Sequence, residues 1–164
     1  MESFETKPHN LWIMIGIPGA GKTVKAKELA EAWGEDCKYV SRDDIRFSKV
    51  NPKDPYFNKE KQVWKEYIQE IQNGIDNYPN TIADATHLNW PSRNKLIKAL
   101  QLNNVNVNCY YFSTPLNVCL ERNSHREGRA QVPESVIKNM YASMQHPGTD
   151  PYNYYIIGEV INYA

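Results

Sequence analysis

The residues with the clearest chemical signature form a glycine-rich run that directly follows an apolar segment. The apolar segment, residues 11–15, has the composition of a buried strand. Glycines in such a run allow successive backbone N–H groups to turn inward, which makes a concave phosphate site at a helix N-terminus. The run fits Gly-x-x-x-x-Gly-Lys-[Ser/Thr], and we expect it to bind a nucleotide through Gly16, Pro18, Gly19, Ala20, Gly21, Lys22 and Thr23.

The last two residues of this run have distinct expected roles. Lys22 is placed to reach the β- and γ-phosphates of a nucleotide, and the Thr23 hydroxyl to ligate Mg²⁺. Residues 22–30 are good helix formers, as the pattern requires after the loop. The loop therefore predicts a bound nucleotide and Mg²⁺.

Three polar clusters follow predicted strands or helices in the rest of the chain. Residues 42–46 read Arg-Asp-Asp-Ile-Arg, residues 84–87 read Asp-Ala-Thr-His, and residues 122–129 are rich in arginine. Charged turns are ordinarily only solvated, but binding and catalytic residues also concentrate in loops that a rigid scaffold positions. Beside a phosphate loop we interpret all three clusters as functional.

Phosphoryl transfer supplies a reason for these residue types. The reaction needs a base for the proton of the acceptor hydroxyl and cations for the charge on the moving group. Asp43 or Asp44 can supply the base, and Arg122, Arg126 and Arg129 the cations, on a segment whose glycine and polar residues suit a closing lid. The alternative for that segment is an exposed helix end whose arginines favour the helix dipole.

The elements that must position these residues follow from apolar periodicity and turn signals. Strands and helices alternate, which predicts a parallel sheet with helices on both faces and ligands at the carboxyl ends of the strands. We expect residues 42–44 to form a polar turn, Thr114 to cap a helix that begins at Pro115, and residues 51–55 to form a loop. The predicted strands are residues 11–15, 38–41, 81–84, 106–112 and 154–157, and the later helices are residues 58–76, 91–102, 115–120 and 133–144.

Composition restricts the class of protein. The 164 residues predict one domain, residues 1–164, with a lid at about residues 122–132. The 19 Lys and Arg against 19 Asp and Glu leave no net charge, so a polyanion would have to be held locally. Three cysteines without metal-type spacing predict reduced thiols. The polar N-terminus and the lack of long apolar runs predict no membrane contact and a cytoplasmic protein.

In order and spacing, these motifs resemble the kinase domain of phage-type polynucleotide kinase over nearly the whole chain. That family pairs a Gly-x-Pro-Gly-x-Gly-Lys-[Ser/Thr] loop with an Arg-Asp-Asp motif and a nearby arginine, as at residues 16–23 and 42–46, and its lid motif Arg-Asn-Ser-x-Arg is similar to residues 122–126. The resemblance implies a P-loop kinase fold, with no sign of the Asp-x-Asp-x-Thr phosphatase motif of bifunctional members. It implies these roles: Asp43 as general base, Arg46 on the acceptor phosphate with Arg42 and Asp84 nearby, Arg126 at the transition state and Arg122 on nucleotide phosphates.

The expected activity is ATP- and Mg²⁺-dependent phosphorylation of the 5′-hydroxyl end of DNA or RNA, as in nucleic acid repair. An alternative keeps the same machinery but uses a hydroxyl on a modified DNA base, a nucleoside or another small metabolite, and the absence of net charge favours this alternative. A nucleotide-binding switch without turnover is disfavoured, because base, loop and lid arginine are all present.

His87, His125 and His146 share no metal-ligand spacing and are expected to be packed or exposed. The sequence leaves the oligomeric state open.

Overall fold

A computed structural model of the chain describes residues 7–51, 55 and 59–159. Its centre is a sheet of five parallel strands in the order β2-β3-β1-β4-β5. This arrangement confirms the predicted α/β class, and each predicted strand is present within two residues of its expected bounds. The strands are β1 (His9–Ile15), β2 (Cys37–Ser41), β3 (Asn80–Asp84), β4 (Val105–Phe112) and β5 (Tyr155–Glu159).

Helices cover both faces of the sheet, because side chains alternate between the faces along each strand. Leu11 and Ile13 of β1 pack on one face with residues of α2, α3 and α4, whereas Met14 packs on the other with residues of α1, α5 and α6. The helices are α1 (Lys22–Trp33), α2 (Arg42–Lys49), α3 (Glu60–Asn77), α4 (Trp90–Ala99), α5 (Leu116–Ser124) and α6 (Glu134–Ser143).

Residues 42–44 were expected to form a polar turn, and this prediction was wrong. They form the first turn of α2, where the Ser41 hydroxyl oxygen accepts a hydrogen bond from the Asp44 N–H at 3.2 Å. Two aspartates in a first turn are favourable next to the positive end of the helix dipole. The helix has only eight residues, with Ile45 and Arg46 buried, so its apolar pattern is too short to recognise from the sequence.

The prediction for Thr114 was also wrong. The N-cap of α5 is Pro115, and the helix begins at Leu116. Thr114 is 2 % exposed, and its hydroxyl donates to the backbone oxygen of Ala20 at 2.8 Å. A long-range partner in the glycine-rich loop therefore replaces the local cap.

Other boundaries moved only slightly, and the helix expected at residues 58–76 is α3, with residue 58 outside the described residues. Residues 52–54 of the expected loop also lie outside them. The predicted helix 115–120 continues to Ser124, so the start of the lid is helical.

Gly74 lets α3 lie against the sheet, since a Cβ there would stand 2.4 Å from Thr81 Oγ1. The three cysteines are free, as expected, and none of the described helices is long and apolar enough to cross a membrane.

Candidate active site

The glycine-rich loop joins the end of β1 to the start of α1 through two residues with positive φ. Gly21 has φ 102° at the N-cap of α1, and Gly19 has φ 85°. A Cβ at Gly19 would lie 2.7 Å from the backbone oxygen of Cys119, so the loop also needs glycine for close packing on α5. Both observations agree with a loop whose N–H groups face an anion at a helix N-terminus.

Three hydrogen bonds hold this loop to three different parts of the fold. The Gly16 N–H donates to the Thr86 backbone oxygen at 3.0 Å, just after β3. Thr114, after β4, donates to the Ala20 oxygen, and Arg122 Nη1 on α5 donates to the Gly19 oxygen at 3.1 Å. Arg122 therefore helps to hold the loop, and its expected role on nucleotide phosphates stays a prediction.

Lys22 lies at the first position of α1 and is 8 % exposed. Its Nζ donates to the backbone oxygen of Ile17 at 2.9 Å, inside the same loop. Burial lowers the pKa of Lys22, and the nearby carboxylates of Asp84 and Asp43 only partly offset this effect. A nucleotide phosphate beside the ammonium group would favour its charged form.

Thr23 and Asp84 are in direct contact, although they are 61 residues apart in the chain. The Thr23 hydroxyl donates to Asp84 Oδ2 at 2.9 Å, and the Tyr39 hydroxyl donates to the same oxygen at 2.5 Å. A hydroxyl beside a carboxylate at the end of the neighbouring strand is a donor set of hard oxygens that fits Mg²⁺. These bonds connect Asp84 to the phosphate loop, and its expected role on the acceptor side stays a prediction.

Asp43 lies on α2 within an ion-pair cluster. Arg46 Nη1 donates to Asp43 Oδ1 at 2.5 Å, while Arg46 Nε and Nη2 donate to the two carboxylate oxygens of Glu60 at 2.9 and 2.7 Å. Burial raises the pKa of Glu60, but the hydrogen bonds and charges of Arg46 and Arg42 outweigh it and lower the pKa overall. Arg46 is therefore held from both sides by carboxylates.

Arg42 completes this cluster. Its Nη2 donates to Glu60 Oε1 at 3.2 Å, and its guanidinium lies 5.2 Å from the ring centre of Trp64. Arg42 Nε is buried without a hydrogen-bond partner among the described atoms. An anion bound beside it would satisfy that donor.

A cavity of about 300 Å³ brings the predicted residues together. It is lined by Pro18, Lys22 and Thr23 of the loop, by Asp84, by Arg42, Asp43 and Arg46 of α2, and by Arg126 of the lid. Asp44, the alternative base, does not line it. Gly16, Gly19, Ala20, Gly21 and Arg122 lie outside this lining and shape or hold the loop. Phe47, Val132 and Met140 add apolar surface to the wall.

Sequence reasoning missed several residues that position this site. Glu60 and Tyr39 had no motif signal, because each acts through a partner on another element. His87 was expected to be packed or exposed, and it is 5 % exposed between the Met14 backbone oxygen and the Tyr67 hydroxyl, at 2.7 and 3.0 Å. Burial lowers the pKa of His87 to about 4, so the imidazole is neutral. The described residues contain no group of three or more His, Cys, Asp or Glu that could hold a metal.

Comparison with known proteins places this geometry in context. Residues 11–147 match the protein family described as AAA domain. The chain is 29 % identical to an L-seryl-tRNA(Sec) kinase of Methanococcus maripaludis over 147 residues, which cover 85 % of this chain and 54 % of the relative. The chain thus spans about half the length of the curated relative that it matches.

Solved structures resemble the fold at low sequence identity. The RNA repair complex Pnkp1/Rnl/Hen1 contains a chain with TM-score 0.71 at 21 % identity, covering 85 % of this chain and 45 % of that one. A fungal RNA kinase has TM-score 0.69 at 13 % identity over 98 % of this chain and 78 % of its own. A gluconokinase from Sinorhizobium meliloti 1021 has TM-score 0.59 at 18 % identity over 97 % and 86 %. These neighbours show a P-loop kinase fold.

Proposed function

The chain belongs to the AAA domain family, and we propose that it transfers the terminal phosphoryl group of ATP to the 5′-hydroxyl end of DNA or RNA. One observation carries the proposal: a single cavity is lined by the phosphate-loop residues Lys22 and Thr23, by the carboxylate of Asp43 and by Arg126. Together they supply the binding site for the phosphoryl donor, the base and the cation that phosphoryl transfer needs at one place. The P-loop kinase fold itself implies nucleotide binding.

On the donor side, the loop N–H groups and Lys22 bind the phosphates of ATP. Thr23 and Asp84 would hold Mg²⁺, which when bound neutralises charge on the β- and γ-phosphates. Tyr39 fixes the Asp84 carboxylate by donating to the same oxygen as Thr23. Asp84 therefore serves the metal in this proposal, and its contribution to acceptor binding is indirect.

On the acceptor side, Asp43 orients the hydroxyl and accepts its proton. Arg46 holds the Asp43 carboxylate and is itself fixed by Glu60. Arg42 and Arg46 together contact the phosphate next to the reacting nucleotide, where the buried Nε of Arg42 gains a partner. Arg126 meets the charge that develops on the transferred group.

The alternative acceptor is a hydroxyl on a modified DNA base, a nucleoside or another small metabolite. Two observations favour it: the chain has no net charge, and a cavity of about 300 Å³ suits a small ligand. The structural likeness to a gluconokinase is compatible with this class of acceptor. The name of the seryl-tRNA relative suggests a third kind of hydroxyl, carried by an aminoacyl group on RNA.

Single-turnover transfer from γ-labelled ATP separates these acceptors. The panel contains DNA and RNA oligonucleotides with 5′-hydroxyl ends, seryl-tRNA, nucleosides, hydroxymethylated DNA and gluconate. We expect the oligonucleotide ends to be labelled fastest. Faster labelling of a nucleoside, modified base or gluconate would favour the alternative, and ATP binding without transfer to any acceptor would indicate a switch.

The same assay tests the assigned base. Asp43→Asn should keep ATP binding and lose about 10²–10⁴-fold in transfer, as for a positioned base. Asp44→Asn is the matched control one residue away, and it should lose much less because Asp44 does not line the cavity. A larger loss in Asp44→Asn would indicate that Asp44, and not Asp43, is the base.

A further inference from the structure

One side chain connects the two ends of the lid. Asn123, on the last turn of α5, accepts a hydrogen bond at Oδ1 from the Val132 N–H at 2.9 Å. Its Nδ2 donates to the Val132 backbone oxygen at 2.7 Å. The amide therefore pairs with both polar groups of one residue, as a neighbouring strand would. Asn123 is 5 % exposed, so these two bonds are protected from water.

The same residue also fixes the start of the exposed part of the lid. The Arg126 N–H donates to the Asn123 backbone oxygen at 3.0 Å. Among the described atoms, the backbone hydrogen bonds of residues 125–132 remain within residues 122–132. Asn123 is thus the point at which the lid backbone is joined to a helix that packs on the sheet.

This junction lies close to the chemistry. Arg126 and Val132 both line the cavity, yet residues 124–128 are exposed. The charge of Arg126 reaches Lys22, where it adds to the effect of burial in lowering the pKa of Lys22. Because residues 124–128 are exposed, the position of the Arg126 side chain depends on where the backbone of its segment is held.

We propose that Asn123 is a positioning residue for Arg126: its amide clamps Val132 and so sets where the lid presents the arginine to the transferred phosphoryl group. The inference rests on the proposed phosphoryl transfer, because it gives Arg126 a role at the transition state. Only an amide offers one donor and one acceptor at this length. Aspartate has the same shape, but it lacks the donor and sets a negative oxygen against the Val132 oxygen, so both Asn123→Asp and Asn123→Ala should break the clamp.

Steady-state kinetics with ATP and acceptor varied independently test this role. Asn123→Ala should lower kcat about tenfold or more and leave the KM for ATP within about twofold, because the clamp serves the transition state. Asn123→Asp should lose at least as much. In an Arg126→Ala background, Asn123→Ala should cost no more than about twofold, since the group that it positions is gone. Equal losses in both backgrounds, or a change only in the KM for ATP, would overturn the proposal.

Limited proteolysis tests the clamp without relying on any activity. Trypsin cleaves after arginine, and the lid contains Arg126 and Arg129. Cleavage at these sites should be about tenfold faster in Asn123→Ala than in the original protein, because a released lid opens more often. Gln131→Ala, an exposed neighbour of Val132, is the matched control and should change neither cleavage nor kcat. Unchanged cleavage in folded Asn123→Ala overturns the clamp, whereas faster cleavage without transfer by the original protein overturns only the proposed function.

Discussion

The phosphate loop and the lid both bring cations to one cavity, but the protein holds them in different ways. The loop is tied to Thr86, Thr114 and Arg122, which follow or belong to three separate elements. Among the described residues, the lid is held through Arg122, through the Asn123 side chain and by packing of Val132 on the core, and its residues 124–128 are exposed. The loop is therefore held within the core, whereas the exposed part of the lid lies at the surface.

In the proposed reaction, this difference would match two separate tasks. A phosphate site gains from N–H groups fixed before the nucleotide arrives, since no reorganisation is then needed. A lid must let substrates in and then close over them. We therefore expect changes in the loop to damage binding and folding, and changes in the lid to damage turnover with little effect on stability.

The largest effect should come from Lys22→Ala. Removing this ammonium group takes away one of the cations beside the β- and γ-phosphates, and we expect transfer to fall at least about 10³-fold. Lys27→Ala is the matched control, since Lys27 is exposed on the same helix and should retain full transfer. Single-turnover transfer measures both. Near-normal turnover in folded Lys22→Ala protein would remove the loop from the proposed chemistry.

Arg126→Ala should have the next largest effect. We expect kcat and kcat/KM to fall together by about 10²–10³-fold with ATP affinity retained, because the arginine meets charge that develops during transfer. Lysine should restore only part of the rate, since it lacks the planar fork. Arg129→Ala should be milder. Steady-state kinetics decide this, and a greater kcat loss at Arg129 would exchange the two roles.

Two glycines test the contrast between the phosphate loop and the lid. Gly19 has φ 85° and no room for a Cβ beside the Cys119 oxygen, whereas Gly128 in the lid has φ 57° and nothing within 4 Å of the added Cβ. Gly19→Ala should lower the free energy of unfolding by about 3 kcal/mol, from strain plus steric conflict. Gly128→Ala should cost only about 1 kcal/mol from backbone strain. Urea denaturation measures both, and similar losses would mean that loop and lid are equally packed.

A dependence of stability on pH is the last expected effect. The pKa of His87 falls from 6.5 to about 4 on folding, so its contribution is complete above pH 6.5 and is lost as the pH falls towards 4. Between pH 7 and 4.5 this removes about 2–3 kcal/mol of unfolding free energy. His87→Gln should lack this slope, and His125→Gln, exposed in the lid, should keep it. Parallel pH profiles for all three proteins would contradict a buried neutral His87.

Residues that act through their own short motif could be predicted from the sequence. The loop pattern singled out Lys22 and Thr23, and the family resemblance at residues 42–46 favoured Asp43 over Asp44. All three residues line one cavity, and their roles stay predictions. Short apolar segments between turn signals predicted all five strands, since the pattern of apolar residues is a local property. The α2 helix was not predicted, because eight residues, five of them charged, carry too little of that pattern.

The sequence by itself determined the strand order along the chain, the phosphate loop and the types of side chain available for phosphoryl transfer. Only the tertiary structure decided which of them meet. It joined Asp84 to Thr23, Arg46 to Glu60 and Thr114 to Ala20, over separations of 61, 14 and 94 residues. The physical reason is that these partners lie on separate elements, whose relative positions are set by burial of apolar side chains on the two faces of the sheet.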